Sequence, residues 1–269
     1  MRRLQPILEL LRRMSPSKYG WSGDYPGWEA AAGQCSGYAA AAILQKVQES
    51  VLKVRSGEFP YERDSVLFDK IEYNWPLLSV LMWVSAQREG QLNVADFGGS
   101  LGSSYFQNRL FLDGLKKVSW NVIEQPNFVA AGKAAIEDQR LRFFYTLEEA
   151  IKNTGMPDLL LLSCVLPYIS EPYELLEQLM KHRLPYILID NTYFNYEARD
   201  RITIQRVPPS IYEASYPCWF LDYERVKACL EKEYITLAEY TNDSFIFLDG
   251  KKITYRGIFF KRIVHENHT

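Results

Sequence analysis

The feature that most constrains the fold is an alternation of short apolar runs with helical stretches, which begins after residue 90. The runs predicted as strands are residues 92–97, 120–124, 141–144, 159–163 and 186–190, followed by 244–248 and 257–263. Helical patterns separate most of them, which is typical of a parallel, doubly wound sheet. Only a turn region at Gly250 separates the last two runs, so they predict an antiparallel hairpin. The expected fold class is α/β, with a doubly wound, mostly parallel seven-stranded sheet.

The first third of the chain has a different pattern. Residues 1–88 show helical spacing and Gly/Pro-rich aromatic loops but no convincing strand. We therefore expect an N-terminal helical and loop cap over residues 1–88, and a core domain over residues 89–269.

Composition sets the broad class of the protein. The 269-residue chain is 47% hydrophobic, which is enough to bury a full core. Its net charge of −2 gives no indication of non-specific nucleic-acid binding. The four cysteines form no Cys-x-x-Cys pair, so they predict neither a metal site nor a disulfide framework. A reducing, cytoplasmic location is expected.

Two features bear on membranes. No run of 18 apolar residues occurs, so no membrane span is expected. The basic stretch 2–14 predicts a surface helix, for which peripheral contact with a membrane or a partner stays open. The sequence does not indicate an oligomeric state.

The first predicted strand runs into the motif Asp96-Phe97-Gly98-Gly99-Ser100-Leu101-Gly102. Glycine has no Cβ, so it lets the backbone turn sharply and approach a ligand closely. The same residues also read Gly-x-Ser-x-Gly, the nucleophile elbow of serine hydrolases. The motif therefore either holds a cofactor or presents Ser100 as a nucleophile.

The hydrolase interpretation places Ser100, Asp190 and His265 in the chain order Ser…Asp…His. Against it, the motif follows the first predicted strand, whereas an elbow is expected after several strands. His182 lies in a helix–loop region, and His265 and His268 lie in the last five residues, where chains usually fray. The hydrolase interpretation is the weaker one.

The cofactor interpretation explains more of the sequence. A helix starting near Ser103 would direct its N-terminal N–H groups toward a ligand. Glu124 ends the second predicted strand, where an acid accepts the ribose hydroxyls of a nucleoside in dinucleotide folds. The glycines at 98, 99 and 102 do not form Gly-x-Gly-x-x-Gly, so a nucleoside without a pyrophosphate fits better. S-adenosyl-L-methionine (SAM) is the obvious candidate.

Longer motifs resemble a known family. The motifs are Asp96-Phe97-Gly98-Gly99-Ser100-Leu101-Gly102-Ser103, Val122-Ile123-Glu124-Gln125, Tyr61-Glu62-Arg63-Asp64-Ser65, Tyr105-Phe106-Gln107-Asn108-Arg109, Leu162-Ser163-Cys164-Val165-Leu166 and Ser215-Tyr216-Pro217-Cys218-Trp219-Phe220. Together they resemble the class I SAM-dependent methyltransferases. More narrowly, they resemble a bacterial group often encoded with surface-polysaccharide (O-antigen or capsule) biosynthesis genes. The resemblance covers about residues 20–240 and implies a Rossmann-like sheet, SAM as cofactor and S-adenosyl-L-homocysteine (SAH) as product.

The resemblance also implies the residues of the cofactor site. The glycines would line the methionine and ribose portion, while Glu124 would hold the ribose hydroxyls. The turn at Thr146 would reach the adenine, and the end of the fourth strand would border the methyl group. The residues expected to bind the cofactor are Asp96, Gly98, Gly99, Ser100, Gly102, Glu124, Gln125, Thr146, Ser163 and Val165.

A hydroxyl acceptor benefits from a base at the moment of attack. Because histidine is scarce, a carboxylate is the best remaining candidate. Asp190 is placed at the end of the fifth predicted strand, where open α/β sheets bind ligands. Glu62 and Asp64 lie in an aromatic, charged loop, where Arg63 between them could pair with either. These three acids are the candidate catalytic residues, with salt-bridged structural roles as the alternative.

Aromatic and polar side chains would complete an acceptor pocket near the carboxyl edge of the sheet. The residues expected there are Tyr25, Trp28, Tyr61, Arg63, Asn191, Tyr193 and Tyr216. The aromatic loop 19–28 fits a hydrophobic clasp equally well. Relatives often carry Asp-Arg-Thr-Pro where this chain has Asp190-Asn191-Thr192-Tyr193, so acceptor recognition at this strand is expected to differ.

The leading hypothesis is a SAM-dependent O-methyltransferase that modifies a hydroxyl of a sugar or surface-polysaccharide precursor, such as one of lipopolysaccharide. A SAM- or nucleoside-binding protein without transferase activity is the second hypothesis. A serine hydrolase that uses Ser100 is the third.

Overall fold

Residues 18–35, 40–209, 211 and 214–264 are described by the structure, a computed structural model. The basic stretch 2–14 and the two histidines His265 and His268 lie outside the described residues. The helices are α1 (Trp28–Ala32), α2 (Ala40–Arg55), α3 (Trp75–Gln87), α4 (Ser103–Leu112), α5 (Pro126–Ala135), α6 (Leu147–Thr154), α7 (Pro172–Met180) and α8 (Tyr223–Leu230).

Three sheets contain the strands. The strands are β1 (Gly20–Tyr25), β2 (Tyr61–Arg63), β3 (Val66–Phe68), β4 (Gln91–Phe97), β5 (Lys117–Ile123), β6 (Leu141–Phe144), β7 (Leu159–Ser163), β8 (Tyr186–Thr192), β9 (Arg201–Val207), β10 (Ala214–Phe220), β11 (Tyr234–Leu248) and β12 (Lys251–Arg262). The largest sheet has seven strands in the order β11-β12-β8-β7-β4-β5-β6. Its β6, β5, β4, β7 and β8 are parallel, and β12 and β11 are antiparallel to their neighbours. The predicted fold class is confirmed.

The central strands are apolar throughout because helices cover both faces of the sheet. Alternate residues of β7 point to opposite faces: Leu159 and Leu161 join one core cluster, and Leu160 and Leu162 join the other. Side chains of α2, α3, α4 and α5 complete the first cluster, and those of α6, α7 and α8 complete the second. This two-sided cover is what the alternating sequence pattern predicts.

The expectation of no strand before residue 88 is wrong. β1 pairs with β9, and β9 pairs with β10, forming a three-stranded antiparallel sheet. β1 escaped prediction because two of its six residues, Gly20 and Gly23, are glycines with positive φ. In β10, Pro217 argues against a strand, yet β10 pairs on one side only, where proline is tolerated.

A second missed element is the β2–β3 hairpin. Its two strands have three residues each, and Arg63 pairs with Val66 across a two-residue turn of Asp64 and Ser65. Both turn residues have positive φ, 51° and 67°, as a type I′ turn requires. A strand of three residues is too short to show a period-2 pattern. The division of the chain at residue 88 stays a prediction, although β1 and the helices α2 and α3 share strands and core with the later residues.

Candidate functional site

A large cavity opens at the carboxyl ends of β4, β5, β7 and β8, where open α/β sheets bind ligands. Its volume is about 2160 Å³. Small-molecule sites typically occupy roughly 300–1,000 Å³. The β2–β3 hairpin and the β1–β9–β10 sheet contribute further walls. The cavity therefore has room for two ligands side by side.

Most of the residues predicted for the site line this cavity. They are Asp96, Gly98, Gly99, Ser100, Glu124, Gln125, Thr146, Ser163 and Val165 from the cofactor set, and Trp28, Tyr61, Glu62, Arg63, Asp64, Asp190, Asn191 and Tyr216 from the catalytic and acceptor sets. Gly102, Tyr25 and Tyr193 are not among the lining residues. Gly102 precedes α4, the Tyr25 hydroxyl donates to Gln34, and Tyr193 is fully buried, so none of the three is placed to touch a ligand.

The glycine turn after β4 fits closely against its surroundings. Gly98 has a φ of +73°, and a Cβ there would lie 2.4 Å from Cγ2 of Val165. A Cβ on Gly99 would lie 2.4 Å from the carboxyl carbon of Asp96. The Gly98 N–H donates to the carbonyl of Ile123 (2.9 Å), which ties the turn to the end of β5. A side chain at either position would clash with Val165 or Asp96, so glycine is what allows this close packing.

The Asp96 side chain packs against the glycine turn at Gly99. It is buried, and its Oδ2 accepts a hydrogen bond from Trp120 Nε1 (2.9 Å). Burial raises its pKa to about 7, although the Trp120 hydrogen bond opposes the shift. Asp96 is therefore a fixed structural acid of the turn.

Glu124 faces the turn from the neighbouring strand. Phe97 pairs with Ile123 in the β4–β5 register, so Glu124 follows directly opposite Gly98. Its carboxylate accepts hydrogen bonds from the backbone N–H groups of Gln125 and Ser100. Burial raises its pKa, and the two backbone hydrogen bonds oppose that shift. The carboxylate is thus held at the cavity wall, where it can accept hydrogen bonds from ligand hydroxyls.

The segment after β6 contains the N-cap of helix α6. Thr146 is the N-cap of α6, and its hydroxyl accepts the N–H of Glu149 (3.1 Å). The Thr146 hydroxyl is therefore already used within the fold. Tyr145 beside it is exposed, and Phe128 on α5 also lines the cavity.

Asp190 is the most heavily hydrogen-bonded acid of the site. It is fully buried and accepts from Asn74 Nδ2 at both oxygens (3.0 Å each), from Ser163 (2.9 Å) and from Tyr240 (2.6 Å). A carboxylate offers about four lone-pair sites, so these four contacts leave none for a substrate hydroxyl. Asp190 connects α3, β7, β8 and β11 and does not fit the role of a base.

Asn74 and Tyr240 were not identified from the sequence. Asn74-x-Pro76 indicates a helix start, and Asn74 does cap α3 by accepting the N–H of Leu77 (3.2 Å). Nothing in the local sequence indicates that either residue reaches Asp190.

The β2–β3 hairpin carries two acids that line the cavity, Glu62 and Asp64, and they differ in their hydrogen bonds. Glu62 is buried and accepts hydrogen bonds from the Ser103 hydroxyl and from the N–H of Ser65 (3.2 Å). Burial raises its pKa to about 7. Asp64, at the turn, accepts no hydrogen bond from the described residues and opens onto the cavity. Desolvation by the surrounding protein raises the pKa of Asp64, and the positive charge of Arg63 opposes this shift.

Backbone strain concentrates at this cavity. In the described chain, eight non-glycine residues have positive φ. Of these, five line the cavity: Asp64, Ser100, Cys164, Asn191 and Asp249. Left-handed non-glycine residues are costly and tend to cluster at functional sites.

The β1–β9–β10 wall is aromatic and polar. Trp28 stacks on Trp219 with ring centroids 6.4 Å apart. A chain of hydrogen bonds runs through this wall. The Trp21 indole N–H donates to the Tyr193 hydroxyl (3.2 Å), and the Tyr193 hydroxyl donates to the Tyr168 hydroxyl (3.1 Å). Tyr168 in turn donates to Oε1 of Gln205 (2.9 Å). Tyr193 therefore acts through this chain and not by direct contact, and Gln205 is a wall residue that sequence analysis missed.

The serine-nucleophile interpretation finds little support in this geometry. Ser100 does lie in a strained turn, with a φ of +54°. Asp190, its proposed acid, is occupied by other donors, and His265 lies outside the described residues. His182 lines the cavity but contacts Glu148 (3.1 Å).

Two further findings concern metals and membranes. Within the described ranges, no group of three or more His, Cys, Asp or Glu side chains could hold a metal ion. Nor does that part of the chain contain a helix long and apolar enough to cross a membrane.

No protein-family model matches the sequence, and no curated protein matches it. Solved structures are similar at low identity. The N-terminal domain of EvdMO1, solved with SAH and D-fucose, is 15% identical, with a TM-score of 0.48 over 81% of this chain and 96% of that one. The N-methyltransferase NodS of Bradyrhizobium japonicum, in complex with SAH, is 13% identical, with a TM-score of 0.43 over 72% and 89%.

The cyclase SpnF is 11% identical, with a TM-score of 0.49 over 92% of this chain and 100% of that one. These three proteins include a methyltransferase and a cyclase. At TM-scores below 0.5, the likenesses carry no conclusion about the chemistry of this chain, so its own strand order and cavity define the site.

Proposed function

We propose that this protein is a SAM-dependent methyltransferase that transfers a methyl group to a hydroxyl of a sugar or surface-polysaccharide precursor. The observation that carries the proposal is the pairing of the glycine turn with Glu124 at one wall of the cavity. The glycines let the turn pack tightly against Val165 and Asp96, and the turn and Glu124 line the same part of the cavity. A nucleoside with two ribose hydroxyls fits this pair.

The start of α4 supports a cofactor without phosphates. The N-terminus of a helix after a glycine turn is a favourable place for an anion. Here the Glu62 carboxyl group, which accepts a hydrogen bond from the Ser103 hydroxyl, already occupies that place. A pyrophosphate would meet this carboxylate, whereas SAM has no phosphate. When bound, SAM supplies an electrophilic methyl group on a sulfonium.

Among the three candidate catalytic acids, Asp64 is the one we assign as base. Asp190 and Glu62 already accept hydrogen bonds, whereas Asp64 accepts none from the described residues. Asp64 would accept the proton of the acceptor hydroxyl as the oxygen attacks. Desolvation raises the pKa of Asp64, and the positive charge of Arg63 beside it opposes this shift and so favours the ionised form that a base requires.

The acceptor would lie against the β1–β9–β10 wall. Trp28 and Tyr216 offer aromatic faces, and Gln205 and Asn191 offer amide groups, a combination suited to a sugar ring and its hydroxyls. The large cavity volume supports an acceptor bigger than one monosaccharide. The link to surface polysaccharides rests on the family resemblance.

Calorimetric titration with SAM and SAH tests the cofactor assignment. Glu124→Ala should weaken binding about 10- to 100-fold, because charge-assisted hydrogen bonds to the ribose are lost. Glu124→Gln, which keeps an acceptor for the two backbone N–H groups, should weaken it less. Glu177→Ala, on the exposed surface of α7, is the matched control and should bind normally. Unimpaired binding in Glu124→Ala would refute the ribose assignment.

Transfer is then tested by incubating the protein with SAM and a panel of monosaccharides and nucleotide sugars, with mass spectrometry of the products. Asp64→Asn should bind SAM normally but form no methylated product. SAM binding without any methylated product would favour a non-catalytic binding protein. Absence of SAM binding, together with ester hydrolysis that Ser100→Ala abolishes, would favour the hydrolase.

A further inference from the structure

Arginine is scarce in the cavity. Arg63 and Arg206 are the arginines among its described lining residues, and none of those residues is a lysine. Neither arginine forms an ion pair within 4.0 Å with a described carboxylate, whereas other arginines, such as Arg199 and Arg201, do. Arg63 hydrogen-bonds the Tyr61 hydroxyl and Arg206 the Ser22 hydroxyl, so neither guanidinium has a carboxylate partner within that distance, and each keeps further N–H groups for a ligand.

The two arginines lie on different walls. Arg206 is on β9, beside β1, and donates to the Ser22 hydroxyl (2.9 Å). Arg63 is on β2, next to Glu62, whose carboxylate binds Ser103 at the start of α4. The Glu62–Ser103 contact joins β2, the strand that carries Arg63, to the start of α4 directly after the glycine turn.

The ionisable side chains around Arg63 are mostly acidic. Glu62, Asp64, Asp96, Glu124 and Asp190 all line the cavity on this side. Such a wall favours cationic parts of a ligand, and a carboxylate would be repelled there unless a cation met it. Arg63 is the arginine on that wall, and its guanidinium can bind a carboxylate with two parallel hydrogen bonds.

SAM and SAH both end in an amino acid, with an α-ammonium and an α-carboxylate. We propose that Arg63 binds the α-carboxylate of this amino-acid end, and thereby makes the protein select the complete cofactor over nucleosides that lack it. The inference rests on the proposed function. It assigns Arg63 to the cofactor and not to the acceptor.

Two commercially available ligands separate the contribution of the amino-acid end to binding from that of the nucleoside. SAH carries the amino-acid end, and 5′-methylthioadenosine has the nucleoside and sulfur without it. Calorimetry with wild type and Arg63→Gln should show SAH binding weakened about 10- to 100-fold and 5′-methylthioadenosine binding changed by less than about twofold. Arg63→Lys, which keeps the charge but not the bidentate geometry, should lie between them.

Arg206→Gln is the matched control and should bind both ligands as wild type does. Equal weakening of both ligands by Arg63→Gln, unchanged SAH binding in that variant, or weakening of SAH by Arg206→Gln would each overturn the assignment. Wild-type melting temperatures in Arg63→Gln would exclude unfolding as the cause. If wild type binds neither ligand, the proposed function itself fails, so the two failures are distinguishable.

Discussion

At Gly98 the surrounding protein leaves no room for a side chain. A methyl group there would lie 2.4 Å from Val165, far inside van der Waals contact, and the backbone is left-handed as well. Glycine is thus required twice over, by shape and by φ. Two acids near it, Glu62 and Asp96, are buried, and burial raises their pKa values because it disfavours the charged carboxylate.

Glu62 predicts a pH-dependent stability. Burial raises its pKa to about 7 in the folded protein, from the ordinary value of 4.5 for a glutamate. Between these values the folded protein keeps the proton that the unfolded chain releases, so the free energy of unfolding falls as pH rises from 4.5 to 7 and stays lower above. Glu62→Gln should remove up to about 3 kcal/mol of this decrease.

Urea denaturation of wild type and Glu62→Gln at pH 5 and pH 8 measures the effect. Glu58→Gln, at an exposed acid near the same hairpin, is the control and should follow the wild-type pH dependence. The same pH dependence in Glu62→Gln and wild type would contradict the assignment. Asp96 should continue to contribute its own pH dependence in every variant.

Residues of the site differ in how far the sequence could predict them. The glycine turn follows the first predicted strand and Glu124 ends the second, so local spacing was enough to single them out. Asn74 and Tyr240 reach Asp190 from distant parts of the chain, and no local pattern encodes such a contact. Asp190 was correctly placed at a strand end, but its saturation by three donors depends on those distant partners.

At the scale of elements, the β1–β9–β10 sheet depends on a buried hydrogen-bond chain. Tyr193 lies at its centre, with its hydroxyl 3.2 Å from Trp21 Nε1, 3.1 Å from the Tyr168 hydroxyl and 2.6 Å from Sγ of Cys218. The three partners belong to different segments of the chain, so this one hydroxyl joins the wall of the cavity to the core.

Tyr193→Phe should therefore destabilise the protein by about 1–3 kcal/mol, because it leaves buried polar partners unsatisfied. The free energy of unfolding from chemical denaturation measures the loss. Tyr196→Phe, which removes an exposed hydroxyl that donates to Asp249, should cost about 0.5 kcal/mol or less. Equal losses in the two variants would show that the buried chain adds nothing.

Elements were predictable where their own sequence carries a pattern. The predicted strands 141–144 and 159–163 coincide with β6 and β7, because these are continuous apolar runs in a covered sheet. Predicted strand 244–248 covers only the last part of β11, whose earlier residues are largely exposed and mix apolar with polar side chains. In β9, Ile202 and Ile204 alternate with polar residues, which is the signal that could have identified that strand.

At the scale of the whole molecule, the cofactor half of the cavity is assembled from segments far apart in the chain. The β2–β3 hairpin, the glycine turn, Glu124 and the end of β7 all line it. A ligand bound there would touch all four and stabilise the folded state by mass action.

Hydrogen exchange with and without saturating SAH tests this arrangement. At labelling times too short for global unfolding, SAH should slow exchange in residues 61–68, 97–104, 124–128 and 163–166 together. Exchange in α8, which covers the opposite side of the sheet from α2–α5, should stay unchanged. Protection confined to one segment would show that the hairpin and the glycine turn do not share a ligand.

The pairing of β1 with β9 has a consequence for the order of assembly during synthesis. Gly20 is opposite Arg206, so β1 leaves the ribosome long before its partner exists. The glycine turn, Glu124 and the hairpin are all made before residue 201. The segments that line the cofactor half of the cavity are therefore all synthesised before the acceptor wall can be completed.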